Sequence, residues 1–191
     1  MPGASPQARF SPCGRYRWWL ERCWDAAAPR LLFIGLNPSR ADGARDDPTL
    51  RRLVGFARAG GFGALEVLNL FAAVSPSPAV LKRLADPVGG ANDRWIRRRL
   101  AAWPEATLGL GWGAGGGWRG RDRQVLRLLA GRRLLVLGLT RGGQPRHPLY
   151  LPAAARWREA APLVHPEDAL SRSGALRPCQ PVHGATPSTC T

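Results

Sequence analysis

Lysine is almost missing from this sequence of 191 residues: Lys82 stands alone, and arginine supplies the rest of the 28 basic side chains. Acids are scarce too, 13 in all, so the formal charge is 28 − 13 = +15. A compositional bias toward Arg, Ala, Gly and Pro explains arginine in place of lysine. It does not explain the shortage of acids. A guanidinium forks onto phosphate and stacks on flat rings, so the balance points to a polyanionic partner, a nucleic acid or a nucleotide.

Other absences narrow the class. No run is long and apolar enough to span a bilayer, and the opening MPGASPQARFSPCGRYRW lacks the apolar core of a signal peptide. The expectation is a soluble cytoplasmic protein with no membrane partner. The four cysteines, Cys13, Cys23, Cys179 and Cys190, include no C-x-x-C pair. No metal site is therefore expected, and the thiols are read as free in a reducing compartment. There is no internal repeat. Lys82 is not in a P-loop context, and no Ser-His-Asp arrangement is legible.

What is present alternates. Residues 1–14 and 159–191 are rich in Pro, Ser and Gly and are expected to be flexible and disordered, leaving one α/β domain over 15–158. Within it, 16-YRWWLERCW-24 reads as an edge strand or hairpin that leads in. The unbroken apolar runs 31-LLFIGL-36, 64-ALEVLNLF-71, 107-TLGLGW-112 and 133-RLLVLGL-139 read as strands buried on both faces. Between them lie helical patterns at 48–60, 75–84, 90–103 and 119–131, the first opened by Asp47-Pro48 as cap and first helical residue. Strand–helix alternation predicts a central, mainly parallel four-stranded sheet between helices. Ligands then bind beyond the carboxyl ends of the strands.

At those ends stand Asn37-Pro38-Ser39, Asn69, Trp112-Gly113 and 146-RHPLYLP-152 with His147. Carboxamides combine donor and acceptor, which suits the edge of a nucleobase. An imidazole can donate to a developing anion. Asn37-Pro38 is also a common turn opener. Asn69 in an apolar strand needs a partner, backbone or ligand. The basic helix around Arg97-Arg98-Arg99 and the cluster Arg119, Arg121, Arg123 are solvated faces or phosphate contacts. Gly111-Trp112-Gly113-Ala114-Gly115-Gly116 fits a dinucleotide fingerprint, but Leu139-Thr140 replace its acidic partner.

The order GLNPS, VLNLF, GWG, HPLYL over roughly residues 30–152 resembles the uracil-DNA glycosylase superfamily. The LNPS, DDPT and HPLYLP segments are also similar to an uncharacterised bacterial and phage family, a domain of unknown function. The first resemblance implies a three-layer α/β/α fold and base excision from DNA without metal or organic cofactor. It implies that Asn37 positions the attacking water, that Asn69 reads the base with Gly35, Leu36 and Trp112 beside it, and that His147 stabilises the departing base anion. It makes Leu151 the wedge into the duplex. Asn37 stands where the superfamily's best catalysts have Asp, and Ser39-Arg40 stand where efficient uracil enzymes have Tyr. Asp46 is either a surface carboxylate or the base that Asn37 cannot be. Arg40, Arg119, Arg121 and Arg146 are the candidate DNA contacts. The alternatives are a binding module on the same fold without chemistry, and a small-molecule enzyme whose glycine-rich loop holds a nucleotide phosphate.

Overall fold

The computed structural model describes residues 7–39 and 45–160, all within one unit that ends at Ala160. Arg40, His165, His183, Cys179, Cys190 and most of the expected tail lie outside the described residues. The strands are β1 (Gln7–Phe10), β2 (Arg17–Cys23), β3 (Arg30–Gly35), β4 (Ala64–Asn69), β5 (Thr107–Leu110), β6 (Leu134–Val136) and β7 (Arg158–Glu159). The helices are α1 (Pro48–Ala59), α2 (Pro78–Leu81), α3 (Asn92–Ala102) and α4 (Arg121–Leu128).

All seven strands form one mixed sheet in the order β1-β2-β4-β3-β5-β6-β7. The centre is parallel: β3 pairs with β4 and β5, and β5 with β6. These are the apolar runs of the sequence. The expectation of four strands is corrected at both sides, where β2 and β1 extend the sheet past β4 and β7 extends it past β6, all antiparallel. The segment at 16–24 is thus not an edge, because β1 covers it. β1 itself falls inside the stretch expected to be flexible. It is four residues of alternating half-exposure, too short and polar to read as a strand, and pairing with Arg17–Glu21 holds it.

Side chains alternate between the faces of a strand, and here the alternation separates two helical layers. Leu31, Phe33, Leu65 and Val67 join Leu50, Leu53 and Ala57 of α1 in one core cluster. Glu66, pointing opposite to Leu65, meets the guanidinium of Arg99 on α3 through both carboxylate oxygens. Leu31, Leu53 and Leu65 are at most 1% exposed, and each such burial contributes about 2 kcal/mol. Among the described residues, no helix is long and apolar enough to cross a membrane.

α1 starts as the sequence predicts: Asp47 accepts a hydrogen bond from the Leu50 amide at 2.7 Å, and Pro48 takes the first turn. The connection through α1 leaves β3 toward β4, and the connection through α4 leaves β5 toward β6. The carboxyl ends of β3 and β5 therefore flank a topological switch point, where α/β sheets open a crevice.

Candidate functional site

A cavity of about 570 Å³ opens at that crevice. Gly35, Leu36, Asn37 and Ser39 line it after β3, Asn69 at the end of β4, and Trp112 to Gly115 after β5. Arg146, His147, Leu149 and Tyr150 close it from the segment that follows β6, and Asp47 and Thr49 enter from the start of α1. The two carboxamides and the imidazole singled out in the sequence thus share one cavity.

Backbone pairing sets the floor. Gly35 lies opposite Asn69 in the β3–β4 register, and the pairing runs on as Leu70 N–H to Gly35 O and Phe71 N–H to Leu36 O, each 2.9 Å. A Cβ at Gly35 would stand 2.9 Å from Asn69 Oδ1, so only glycine leaves room for the carboxamide. Asn69 is 3% exposed, and its Nδ2 has no hydrogen-bond partner. A buried amide donor left this way costs roughly 1–3 kcal/mol. The carbonyls of Asn69 and Leu70 are tied down by Nδ2 of the fully buried Asn92, at 3.1 and 3.0 Å.

Asn37 is held differently. Its Nδ2 donates to the carbonyls of Pro38 at 2.8 Å and Ser75 at 3.0 Å, while the Ser75 amide donates back to Pro38 O. The Asn-Pro turn is therefore locked to the loop after β4. Asn37 Oδ1 takes no bond from another described residue.

His147 caps the 3-10 turn Pro148–Tyr150. Its Nδ1 accepts from the Leu149 amide at 3.3 Å, so the ring proton sits on Nε2. Burial pushes this imidazole below its ordinary pKa, and the carboxylate of Asp47 works against that shift. A neutral ring that donates through Nε2 results at neutral pH.

The carboxylate of the site is Asp47, not Asp46. Asp46 accepts from Arg22 Nε at 2.9 Å and Nη2 at 2.7 Å and does not line the cavity. This corrects the reading of Asp46 as a base. Asp47 lines the cavity while holding the Leu50 amide and the Ser39 hydroxyl. Pro48 fixes where the helix begins, and a capping side chain must turn back over the first turn, here toward the crevice. The DDPT segment carried the signal, but not which acid faces inward.

Other expected residues fall elsewhere. Leu151 is 6% exposed and packs with Phe56 and Leu137, so it cannot wedge into a duplex; Leu149 and Tyr150 are the exposed apolar side chains of that turn. Arg121 is 2% exposed and donates to Leu70 O at 2.7 Å and to Asp93, which removes it from the phosphate contacts. Arg119 is exposed, with left-handed backbone, and lies over the Trp118 ring away from the cavity lining. Arg146 does line the cavity. Trp112 forms a wall: its indole is 1% exposed and its N–H donates to Gln144 at 2.5 Å. A Cβ at Gly116 would stand 2.0 Å from that indole, so the last glycine of the supposed fingerprint makes room for a side chain. The segment forms 3-10 turns over Gly113–Gly120, broken at Trp118 and Arg119.

Sequence reasoning missed Arg17, Ser75, Ser77 and Lys82, which line the side of the cavity formed by β2 and the β4–α3 connection. Only the isolation of Lys82 among arginines could have drawn notice. Among the described residues, no three His, Cys, Asp or Glu side chains are grouped to hold a metal ion. Among the described residues, the lining carries the cations Arg17, Lys82 and Arg146 against the carboxylate of Asp47, a balance that attracts anions.

No curated protein and no solved structure matches the chain. A family model does match, over residues 17–149, a stretch that begins at Arg17 and includes every lining residue named above but Tyr150. That stretch is well over half of the sequence, and the chain belongs to the family described as protein of unknown function (DUF1643).

Proposed function

We propose that the cavity takes a nucleobase of a nucleic acid, DNA in the first instance, and that the chain hydrolyses the N-glycosidic bond of that base in the manner of the uracil-DNA glycosylase superfamily. One observation carries this reading: Asn69, whose buried Nδ2 has no partner, and His147, whose ring proton is on Nε2, line a single cavity. A pyrimidine-like ring with carbonyl oxygens on two edges satisfies both. Asn69 then reads the base edge, and His147 donates to the oxygen that becomes anionic as the C1′–N bond breaks toward the base. Asn37 Oδ1 orients the water, and Asp47 accepts its proton as the water oxygen bonds C1′. Arg146 and Tyr150 lie beside the cavity, where they contact the strand. The scheme uses no metal or organic cofactor, and the proposed location is the cytoplasm.

The test uses duplex and single-stranded oligonucleotides bearing uracil, hypoxanthine or alkylated bases, scored for alkali-labile abasic sites. The wild-type chain produces them with one of these bases, and Asn69→Ala and His147→Ala lose about 10²-fold or more. No abasic site with any substrate at high protein concentration overturns hydrolysis.

A second reading has its own support. Asn37 is engaged with two carbonyls, and Asp47 with a helix cap and a hydroxyl, so the polar groups near the water position are already held. On that reading the chain binds the base without cleaving it. Salt-sensitive binding that Asn69→Ala abolishes, with no abasic sites, is its signature.

A further inference from the structure

We infer that the β2–β4 side of the cavity is a phosphate subsite, in which Lys82 and Arg17 hold a phosphate ester of the nucleotide whose base lies against Asn69. The inference rests on the proposed base-reading role of the cavity and names what else the site must hold.

Lys82 is the chain's sole lysine. It sits at the carboxyl end of α2, exposed, and lines the cavity. Its ammonium is a compact charge with three donors, suited to a phosphate oxygen from any direction. Arg17, on β2, lines the same side and is 5% exposed. A cation so withdrawn from water acts through a lower dielectric than a surface arginine. Among the described residues, Asp47 is the carboxylate of the lining, and it enters from α1.

The loop that carries Lys82 is pinned. Ser75 is 2% exposed and its hydroxyl donates to Ser77 O at 2.9 Å, while Ser77 Oγ caps α2 by accepting from the Val80 amide at 3.3 Å. Pro76 and Pro78 restrict the backbone further. The ammonium is thus presented from a fixed base. Independently of these charges, Asn69, a buried side chain of the same lining whose Nδ2 has no partner, points to a ligand. A volume of about 570 Å³ exceeds what a lone base fills and lies within the roughly 300–1,000 Å³ of small-ligand sites. The phosphate belongs either to a free nucleotide or to a strand, and the chemistry at Lys82 is shared.

Because lysine occurs once, an amine-acylating reagent labels Lys82 and the α-amino group, and peptide mass spectrometry reads Lys82 separately. The full chain is labelled in the presence of nucleosides, nucleoside 5′-monophosphates or a short single-stranded oligonucleotide, using uracil and hypoxanthine forms. A phosphate-bearing ligand slows acylation of Lys82 about tenfold or more, and the matching nucleoside does not. Lys82→Ala weakens that ligand about tenfold or more, as loss of a charge-assisted hydrogen bond implies, leaves the nucleoside's affinity unchanged, and Lys82→Arg restores most of the loss. Protection by the oligonucleotide alone identifies a backbone diester; protection by the monophosphate identifies a free nucleotide. Equal protection by nucleoside and nucleotide, an unaltered affinity in Lys82→Ala, or no binding of any of these ligands overturns the subsite. Phosphate-dependent protection with no abasic sites leaves the subsite standing and removes hydrolysis. Abasic sites with an indifferent Lys82 do the reverse.

Discussion

Gly35 and His147 show how single atoms set this site. A methyl group at position 35 would meet Asn69 Oδ1 at 2.9 Å, so Gly35→Ala must push the carboxamide aside. The expected cost is about 1–3 kcal/mol of stability, and ligand affinity should fall nearly as far as in Asn69→Ala. Titration calorimetry beside thermal melting separates the two effects. An affinity that survives Gly35→Ala would mean that Asn69 is not the reading group. For His147, burial lowers the pKa in the fold, while the unfolded chain keeps a value near 6.5. As pH falls through about 6.5, the unfolded state takes up the proton first, so the stability linked to this ring is present above that range and lost below it. Urea unfolding at pH 7.5 and pH 5.5 should show a larger acid loss for wild type than for His147→Gln, whose side chain cannot titrate.

At the scale of the element, the start of α1 combines two tasks in one side chain. Asp47 caps the helix and gives the cavity its carboxylate. Asp47→Ala removes both and should cost about 1 kcal/mol through the cap. Asp47→Asn keeps an equally good cap and removes only the charge. Both variants should lower the His147 pKa further, since the Asp47 carboxylate raises it; imidazole proton shifts across a pH titration read this directly. If His147 titrates identically in wild type and Asp47→Asn, the two groups are not coupled.

Across the whole molecule, buried polar anchors join the layers behind the site. Arg121 reaches Leu70 O just past β4, Asp93 on α3, and Gln124 on its own helix. Glu66, fully buried, pairs with Arg99 and lies 3.8 Å from Arg30; burial pushes its carboxyl up, and Arg99 opposes that shift. Arg121→Ala should cost about 3 kcal/mol, because it strips the buried Leu70 carbonyl and unties α4 from α3. Asp93 is 39% exposed and can be hydrated, which holds the loss at the lower end of the range for broken buried pairs. Chemical denaturation measures it. A loss no larger than that of an exposed arginine, such as Arg97, would count against this anchoring role.

The sequence by itself determined the central strands, the helix that begins at Asp47-Pro48, and the set Asn37, Asn69 and His147. Unbroken apolar runs need burial on both faces, a cap followed by proline admits one helix start, and parallel strands bring their carboxyl ends to one rim. Those are short-range or topological constraints. Only the tertiary structure decided which of two adjacent acids faces the cavity, which of Leu149 and Leu151 is buried, that Arg121 is an interior anchor, and that Lys82 joins the site. Side chains one or two positions apart leave the backbone in different directions. What lies in that direction is set by distant segments: Arg22 holding Asp46, Phe56 and Leu137 covering Leu151, and β1 and β7 pairing where local patterning is too brief to announce a strand.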